Sequence, residues 1–273
     1  MCIMKKVEKI LKCFLSNWIL NNTHMEVCFF MAKQQVAAFF DVDGTLYRDS
    51  LMSEMFKKLI KYDILSSEYW HAEVKPKFFK YDNRIGAYDD YIIEIGEIYK
   101  GAIKKISPYI IQFIARQIID EKGGRVYTFT RDRIMWHKKN NHKIITISGG
   151  PQELVTEISN RYGIDDSVGT LYFHNESQYT GDFVPMWDSK SKEKALKDFV
   201  EKHDIDLNVS YAYGDTAGDF SMLQAVGNPT CINATRELLN LVSNTKDVRD
   251  KIDIIIERKD VVYKVLVDEL NLI

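Results

Sequence analysis

The stretch "AAFFDVDGTLYRD", residues 37–49, joins an apolar run to two carboxylates that are separated by one residue. The run "VAAFF" at 36–40 is short and continuous, which predicts a buried strand. Two like charges this close repel each other, so the pair costs stability unless a cation or a substrate needs it. Asp-Gly also occurs in plain turns, but a buried strand that ends in Asp41 and Asp43 is unusual for a plain turn. The stretch therefore indicates a site of binding or chemistry.

Composition narrows the class of protein. The chain has 273 residues, 45% of them hydrophobic and 28% charged, which suits one large globular domain or a core domain with an insert. Lys plus Arg number 37 against 39 Asp plus Glu, so charge gives no reason to expect nucleic acid or a membrane surface as a partner. The four cysteines form no disulfide framework or zinc pattern. We expect reduced thiols and a cytoplasmic protein.

The first 30 residues differ from the rest, since they contain three of the four cysteines. Lysines occur early, but there is no clean apolar h-region and no small-residue cleavage site, which argues against a signal peptide. An amphipathic helical appendage and an upstream extension of the gene start both remain open. Met31 would be a natural first residue for a domain that opens with a strand. We expect residues 1–31 to be an extension that the core does not require.

Strand-like and helix-like segments alternate along the remainder, which predicts an α/β fold with a mainly parallel sheet. The further predicted strands are "KIITISGG" (143–150), "VGTLYFHN" and "QYTGDFV" joined by a turn, "VSYAYGD" (209–215) and "PTCIN" (229–233). The predicted helices are "RDRIMWHKKNNH", "PQELVTEISNRYG" with Pro151 at its first position and Gly163 past its end, and "SKEKALKDFVEKH".

Residues 51–124 have a different texture, because aromatic and charged residues interleave at helical spacing in "MSEMFKKLIKY" and "ISPYIIQFIARQIIDEK". Gly123-Gly124 then breaks the chain. We interpret the segment as a helical insert of about 70 residues, which would sit directly after the first carboxylate motif.

Three predicted strands end in polar residues: the Asp41/Asp43 pair, Ser148 and Asp215. Ligands of open α/β sheets bind beyond the carboxyl ends of the strands, so these residues should meet at one edge. Asp215 and Asp219 add oxygen ligands that suit a hard cation such as Mg²⁺. "SGG" before a helix is often a plain loop, but its hydroxyl and open N–H groups also suit a phosphate cradle.

Several other sites are excluded by pattern. An EF-hand that starts at Asp41 would need Gly at residue 46 and Glu at residue 52, and these are Leu46 and Met52. The six histidines show no ligand spacing. There is no G-x-x-x-x-G-K-[ST], G-x-G-x-x-G or G-x-S-x-G motif, which argues against P-loop NTPases, dinucleotide oxidoreductases and serine hydrolases.

The ordered set "DVDGT", "ISGG", a lysine in "SKSKEK" and "GDTAGD" resembles the haloacid dehalogenase superfamily, and within it subfamily IB, which includes the phosphoserine phosphatases. The likeness covers about residues 35–240. It implies a Rossmann-like core at 32–50 and 125–273, a helical cap at 51–124, and Mg²⁺-dependent hydrolysis of a small phosphorylated metabolite through an aspartyl-phosphate. The sequence identifies no protein partner.

The resemblance also implies roles at matching positions. Asp41 would be the nucleophile and Asp43 the general acid/base. Lys192 would neutralise phosphate charge and steady Asp41. The phosphate-binding residues would be Thr45, Ser148, Gly149 and Gly150. The metal residues would be Asp41, Asp43 (also through its backbone carbonyl), Asp215 and Asp219, with Asp219 near the metal's water shell.

The choice of Lys192 rests on helical geometry. The apolar residues Ala195, Leu196, Phe199 and Val200 form one stripe that should face the sheet. Lys192 lies on that stripe, three and four residues before Ala195 and Leu196. Lys190 and Lys194 should face solvent.

One departure weakens the phosphoserine assignment. The last motif of phosphoserine phosphatases resembles "GDGAND", in which an amide residue precedes the final Asp. In this chain Gly218 occupies the position of that amide residue. The insert also shows no Glu/Arg pattern for the charged ends of an amino acid, so phosphoserine is not favoured. Two alternatives stay open: transfer of the phosphoryl group to an acceptor other than water, as in a mutase, and a non-catalytic binding protein on the same scaffold.

Overall fold

The computed structural model describes residues 34–83, 85 and 88–269. The predicted extension at 1–31 lies outside the described residues. The chain from Gln35 onward forms one compact unit, and all the helices and strands described belong to it.

One mainly parallel sheet organises the described part of the chain, as predicted. Its strands are β1 (Ala37–Phe40), β2 (Lys143–Pro151), β3 (Asp166–His174), β4 (Tyr179–Val184), β5 (Tyr211–Gly214), β6 (Asn228–Ile232), β7 (Asp253–Arg258) and β8 (Val261–Val265). Their order in the sheet is β4-β3-β2-β1-β5-β6-β7-β8, and only the β3/β4 and β7/β8 pairs among these strands are antiparallel.

β1 is the central strand, and its position creates the site. Its four residues are fully buried, as expected for a parallel strand that is covered on both faces. Phe40 pairs with Thr146 of β2 on one side and with Tyr213 of β5 on the other. The strand order therefore changes direction at β1, and ligands of such sheets bind in the crevice at this switch point.

Helices cover both faces of the sheet. The α-helices of four or more residues are α1 (Leu51–Lys61), α2 (Lys75–Asp82), α3 (Tyr88–Ile103), α4 (Pro108–Lys122), α5 (Thr128–Lys139), α6 (Gln152–Tyr162), α7 (Ser189–His203), α8 (Phe220–Ala225), α9 (Arg236–Asn244) and α10 (Lys246–Arg249). The alternation along β1 divides the core, since Ala38 and Phe40 join one apolar cluster and Ala37 and Phe39 join another. None of the helices described is long and apolar enough to cross a membrane.

The 51–124 segment is helical as predicted and contains α1–α4, with a π-helical turn at Trp70–Val74 before α2. Buried Glu54 of α1 pairs with Lys122 of α4, and Lys58 pairs with Glu121 at 2.6 Å. The same apolar cluster continues from these helices into α6. Residues of the 51–124 segment and of the rest of the chain therefore share one buried apolar cluster, which marks no boundary between a cap and a core. The domain boundaries stay a prediction.

The start of α6 corrects one detail of the sequence analysis. Pro151 is the last residue of β2 and the N-cap of α6, so the first helical residue is Gln152. The proline ring fixes φ at −56°, and ψ at 138° is extended, which lets the residue end the strand. Gly163 follows the helix in the left-handed conformation, as predicted.

Candidate active site

Asp41 follows β1 directly and forms hydrogen bonds with one residue of β5 and one residue of α7. Its N–H donates to the carbonyl of Tyr213 at 3.0 Å, and its Oδ1 accepts from Lys192 Nζ at 2.7 Å. Only 5% of the residue is exposed. Burial raises the pKa of Asp41 to about 7; Lys192 opposes the shift and Asp219 adds to it. The carboxylate is therefore poorly solvated and depends on its cationic partner.

Asp43 lies two residues further on, where the chain turns into α1. Its Oδ1 accepts the N–H of Leu51, the first residue of α1, at 3.1 Å. Burial raises the pKa of the Asp43 carboxyl to about 8, although the bond from Leu51 opposes the shift. A carboxyl that is protonated near neutral pH can give a proton to a leaving oxygen. Gly44, the residue after Asp43, has φ +83°, and a Cβ there would overlap the Asp215 carboxylate.

Three buried carboxylates come together beside the end of β1. Asp41, Asp215 and Asp219 each offer an oxygen, and these oxygens lie within 4.8 Å of one another. Burial, followed by the charges of Asp41 and Asp219, raises the pKa of Asp215 well above its usual value. Clustered carboxylates that are costly to ionise become stable when a cation joins them, and an all-oxygen set suits Mg²⁺. The donor set thus fits the predicted metal.

Asp219 has a second task, because its Oδ2 accepts the N–H groups of Asp215 and Thr216, both at 3.0 Å. Its Oδ1 accepts from Lys192 Nζ at 2.5 Å. Thr45, predicted to bind phosphate, donates its hydroxyl to Asp215 Oδ1 at 2.9 Å. Asp219 and Thr45 therefore fix the shape of the carboxylate cluster, and phosphate contact by Thr45 stays a prediction.

Lys192 occupies the orientation predicted from the helical stripe. It is 3% exposed, whereas Lys190 and Lys194 are exposed and Lys194 pairs with Asp198 on the surface. Asp188 caps α7 by accepting the N–H of Ser191 at 2.9 Å, which places Lys192 one turn into the helix. Burial alone would lower the pKa of Lys192, but Asp219 and Asp41 outweigh it and the pKa is raised.

The Ser-Gly-Gly segment lies near the C-terminal end of β2, the strand that pairs with β1. Ser148 is buried, and its Oγ accepts from the N–H of Gly150 at 3.3 Å. A Cβ at Gly150 would lie 4.0 Å from Asp43 Oδ2, so the segment runs beside the motif carboxylates. The carbonyl of Gly149 is used by Thr170, whose hydroxyl donates to it at 2.8 Å.

These segments surround a cavity of about 310 Å³. One part of its wall contains six of the predicted site residues: Asp41, Asp43, Ser148, Gly149, Gly150 and Lys192. The other part contains residues that sequence reasoning missed, chiefly Met52, Ile92, Ile93, Ile95, Gly96 and Trp187. The one feature of the local sequence that marks Trp187 is its position directly before Asp188, the N-cap of α7. The described lining does not include Thr45, Asp215 or Asp219, which lie outside the wall.

The chain belongs to the haloacid dehalogenase-like hydrolase family, whose sequence model matches residues 38–224. The resemblance drawn from the four motifs is thereby confirmed. Among its relatives, a phosphoserine phosphatase of Mycobacterium tuberculosis is 24% identical over 213 residues, which are 75% of this chain and 67% of that protein. A probable phosphatase of the same organism is 26% identical over 113 residues, so the match spans only 39% of that relative's length and 41% of this chain.

Solved structures agree on the fold. A phosphoserine phosphatase with a phospho-aspartyl intermediate analogue superposes with a TM-score of 0.55 at 18% identity, covering 84% of this chain and 96% of that one. A Bordetella pertussis protein of unknown function superposes at 0.65 with 15% identity, covering 80% and 98%. At these identities the likeness establishes a shared α/β fold.

Proposed function

We propose that the protein hydrolyses the phosphate monoester of a small metabolite through a covalent intermediate on Asp41. The observation that carries the proposal is the contact of Lys192 Nζ with Asp41 Oδ1 at 2.7 Å, in the wall of a cavity that Asp43 and Ser148 also line. A surface salt bridge would not need a fully buried lysine. A nucleophilic carboxylate that must approach a dianion does need an adjacent cation.

In the first step, a carboxylate oxygen of Asp41 forms a bond to phosphorus while the bond from phosphorus to the ester oxygen breaks. Asp43 donates a proton to the departing alcohol. In the second step, Asp43 takes a proton from water, the water oxygen bonds to phosphorus, and the acyl-phosphate bond breaks. Inorganic phosphate leaves, and both carboxyl groups regain their initial states.

The remaining residues would balance the phosphate charge. Lys192, the Ser148 hydroxyl and the N–H groups of Gly149 and Gly150 would contact the phosphoryl oxygens. Mg²⁺ would be held by Asp41, Asp215 and the backbone carbonyl of Asp43, with Asp219 beside it, and when bound it would supply positive charge against the phosphoryl group.

Residues 51–124 would act as the cap over a core formed by 32–50 and 125–273. Support comes from the cavity wall, because Met52 of α1 and Ile95 of α3 line the same cavity as Asp41 and Asp43. Closure of such a segment would exclude bulk water and contact the leaving group. The choice of substrate would then depend on the insert more than the chemistry does.

The test is turnover of p-nitrophenyl phosphate by the full chain, with Mg²⁺ and with EDTA. We expect activity with Mg²⁺ and a loss of at least tenfold in EDTA. Asp41→Asn should fold normally and retain less than a hundredth of the rate, since an amide is a poor nucleophile. Asp49→Asn is the matched control, because Asp49 lies in the same loop but contacts Arg125 near the surface at 3.8 Å.

Two results would contradict the proposal. A tenth or more of the wild-type rate in Asp41→Asn would exclude the covalent mechanism. Absence of turnover in the wild type across a panel of phosphorylated metabolites would favour a binding protein. Product analysis with and without acceptor sugars separates hydrolysis from phosphoryl transfer, because transfer releases no inorganic phosphate.

A further inference from the structure

Much of the cavity wall beyond the predicted site residues is apolar. Met52, Ile92, Ile95 and Trp187 line it. Among the described lining residues, the sole side-chain cation is Lys192, and both Asp41 and Asp219 already accept from it. A charged leaving group such as an amino acid would lose its hydration here without gaining a side-chain cation for its carboxylate, which disfavours its binding.

Trp187 is built into this wall by close contacts with three separate segments. A Cβ at Gly96 of α3 would lie 2.8 Å from Cζ3 of the indole, and a Cβ at Gly149 would lie 3.0 Å from the Trp187 Cβ. A Cβ at Gly218 would overlap the Trp187 carbonyl oxygen. The absence of side chains at these three positions leaves the room that the indole and its backbone occupy.

The backbone on each side of Trp187 is fixed as well. The N–H of Met186 donates to Thr170 Oγ1 at 3.2 Å, and the same hydroxyl donates to Gly149 O. Asp188 caps α7 directly after the tryptophan. The ring of Phe183 lies 5.5 Å from the indole at 37°. The indole is therefore held in one place beside the Ser-Gly-Gly segment, and binding to it requires little reordering.

This arrangement accounts for the departure in the last motif. An amide side chain at residue 218 would need the space that the Trp187 carbonyl fills. The backbone carbonyl of Trp187 therefore lies where the phosphoserine phosphatase pattern has a polar side chain near the substrate. The loss of that amide removes a hydrogen-bonding group that a charged leaving group could have used.

We infer that Trp187 is a specificity-determining residue whose indole contacts the leaving group and selects an uncharged, apolar alcohol over a zwitterionic one. The inference rests on the proposed phosphohydrolase function. Planar or ring-shaped leaving groups gain most, because stacking on an indole adds to the burial of apolar surface. The chemistry at phosphorus does not involve Trp187.

The experiment compares kcat/KM for three phosphate esters of alcohols: benzyl phosphate, O-phosphoserine and methyl phosphate. Methyl phosphate reports on the chemistry, since its leaving group is too small to reach much of the apolar wall. Wild type should prefer benzyl phosphate to phosphoserine by at least thirtyfold. Trp187→Ala should lower kcat/KM for benzyl phosphate at least tenfold and leave methyl phosphate within threefold.

Two further variants complete the design. Trp187→Leu keeps apolar volume and serves as the test if the alanine variant fails to fold. It should lower kcat/KM for benzyl phosphate at least fivefold and leave kcat/KM for methyl phosphate within threefold of wild type. Trp136→Ala is the matched control, because this indole lies in α5, stacks on Arg133 at 4.1 Å and is outside the described lining. It should change the benzyl-to-methyl ratio less than twofold.

A wild-type preference for phosphoserine would overturn the inference and leave the proposed function standing. An equal loss on benzyl and methyl phosphate in both Trp187 variants would overturn it too, since Trp187 would then support the site as a whole. Failure of wild type to hydrolyse these esters and p-nitrophenyl phosphate would overturn the proposed function, and the inference with it.

Discussion

Replacement of Lys192 by alanine is the most informative perturbation, because one side chain joins two buried carboxylates. The Nζ atom lies 2.7 Å from Asp41 Oδ1 and 2.5 Å from Asp219 Oδ1, and 3% of the lysine is exposed. Removal of one partner from a buried ion pair costs about 3–5 kcal/mol, since it leaves an uncompensated buried charge. We expect the free energy of unfolding in EDTA to fall by about 3 kcal/mol.

The same variant should lose activity for a related reason. Without the cation, the repulsion between Asp41 and a phosphate dianion is no longer screened in the transition state. We expect kcat/KM to fall at least about a hundredfold, which is about 2.7 kcal/mol of transition-state stabilisation. The loss of stability should be smaller at pH 6 than at pH 8, because protonation of Asp41, whose pKa burial raises, relieves part of the unpaired charge.

The controls are the two neighbouring lysines, measured by urea unfolding in EDTA and by initial rates in Mg²⁺. Lys190→Ala and Lys194→Ala should each change kcat/KM less than about threefold, under about 0.7 kcal/mol. Lys194 forms a surface pair with Asp198 at 2.8 Å, and such pairs contribute about 0–1 kcal/mol. A large loss at either control, with Lys192→Ala near wild type, would refute the assignment of the lysine.

Two further predictions concern packing and pH. Gly218→Asn should lower the free energy of unfolding by about 1–3 kcal/mol, as overpacking does, without gaining phosphoserine turnover. Gly101→Ala is the control and should leave the free energy of unfolding unchanged, because a Cβ there would lie 3.7 Å from its nearest neighbour. Equal melting temperatures for the two variants would contradict the steric argument. His137 is buried against Tyr213 at 2.9 Å, and burial, then Arg133 and His142, lower its pKa to about 3. Its unfolded pKa is higher, so this contribution to stability is present above about pH 6.5 and is lost as pH falls, by about 2 kcal/mol at pH 5. Urea unfolding at pH 7 and 5 should show that wild type loses about 2 kcal/mol more than His137→Asn over this interval, since the carboxylates titrate alike in both proteins. An identical pH dependence in the two proteins would mean that the folded imidazole protonates freely.

The C-terminal hairpin shows where sequence patterns fail. β7 and β8 were not predicted, although "DIIIER" and "VVYKV" are apolar enough to be strands. The turn between them contains Lys259 with φ 55°. A positive φ is normally signalled by Gly, Asn or Asp, and a lysine at this position gives no such signal.

Local periodicity was sufficient to predict the positions of Asp41 and Lys192. A short, continuous apolar run predicts a buried strand. Asp41 directly follows that run, so its position at the carboxyl end of the strand can be predicted from its neighbours in sequence. The orientation of Lys192 follows from the apolar stripe of its own helix. Both conclusions depend on residues within one or two turns, which a sequence displays directly.

The apolar half of the cavity depends on contacts that no local pattern records. Trp187 meets Gly96, Gly149 and Gly218, which lie in three different segments of the chain. Lys192 likewise contacts Asp219 as well as Asp41, and these partners are 27 and 151 residues away. Such contacts are decided by how the sheet order and the insert bring distant segments together. The positions of Asp41 and Lys192 could therefore be predicted from the sequence, whereas the apolar wall of the cavity was decided by tertiary packing, because close approach between distant backbones depends on the shape of the whole fold.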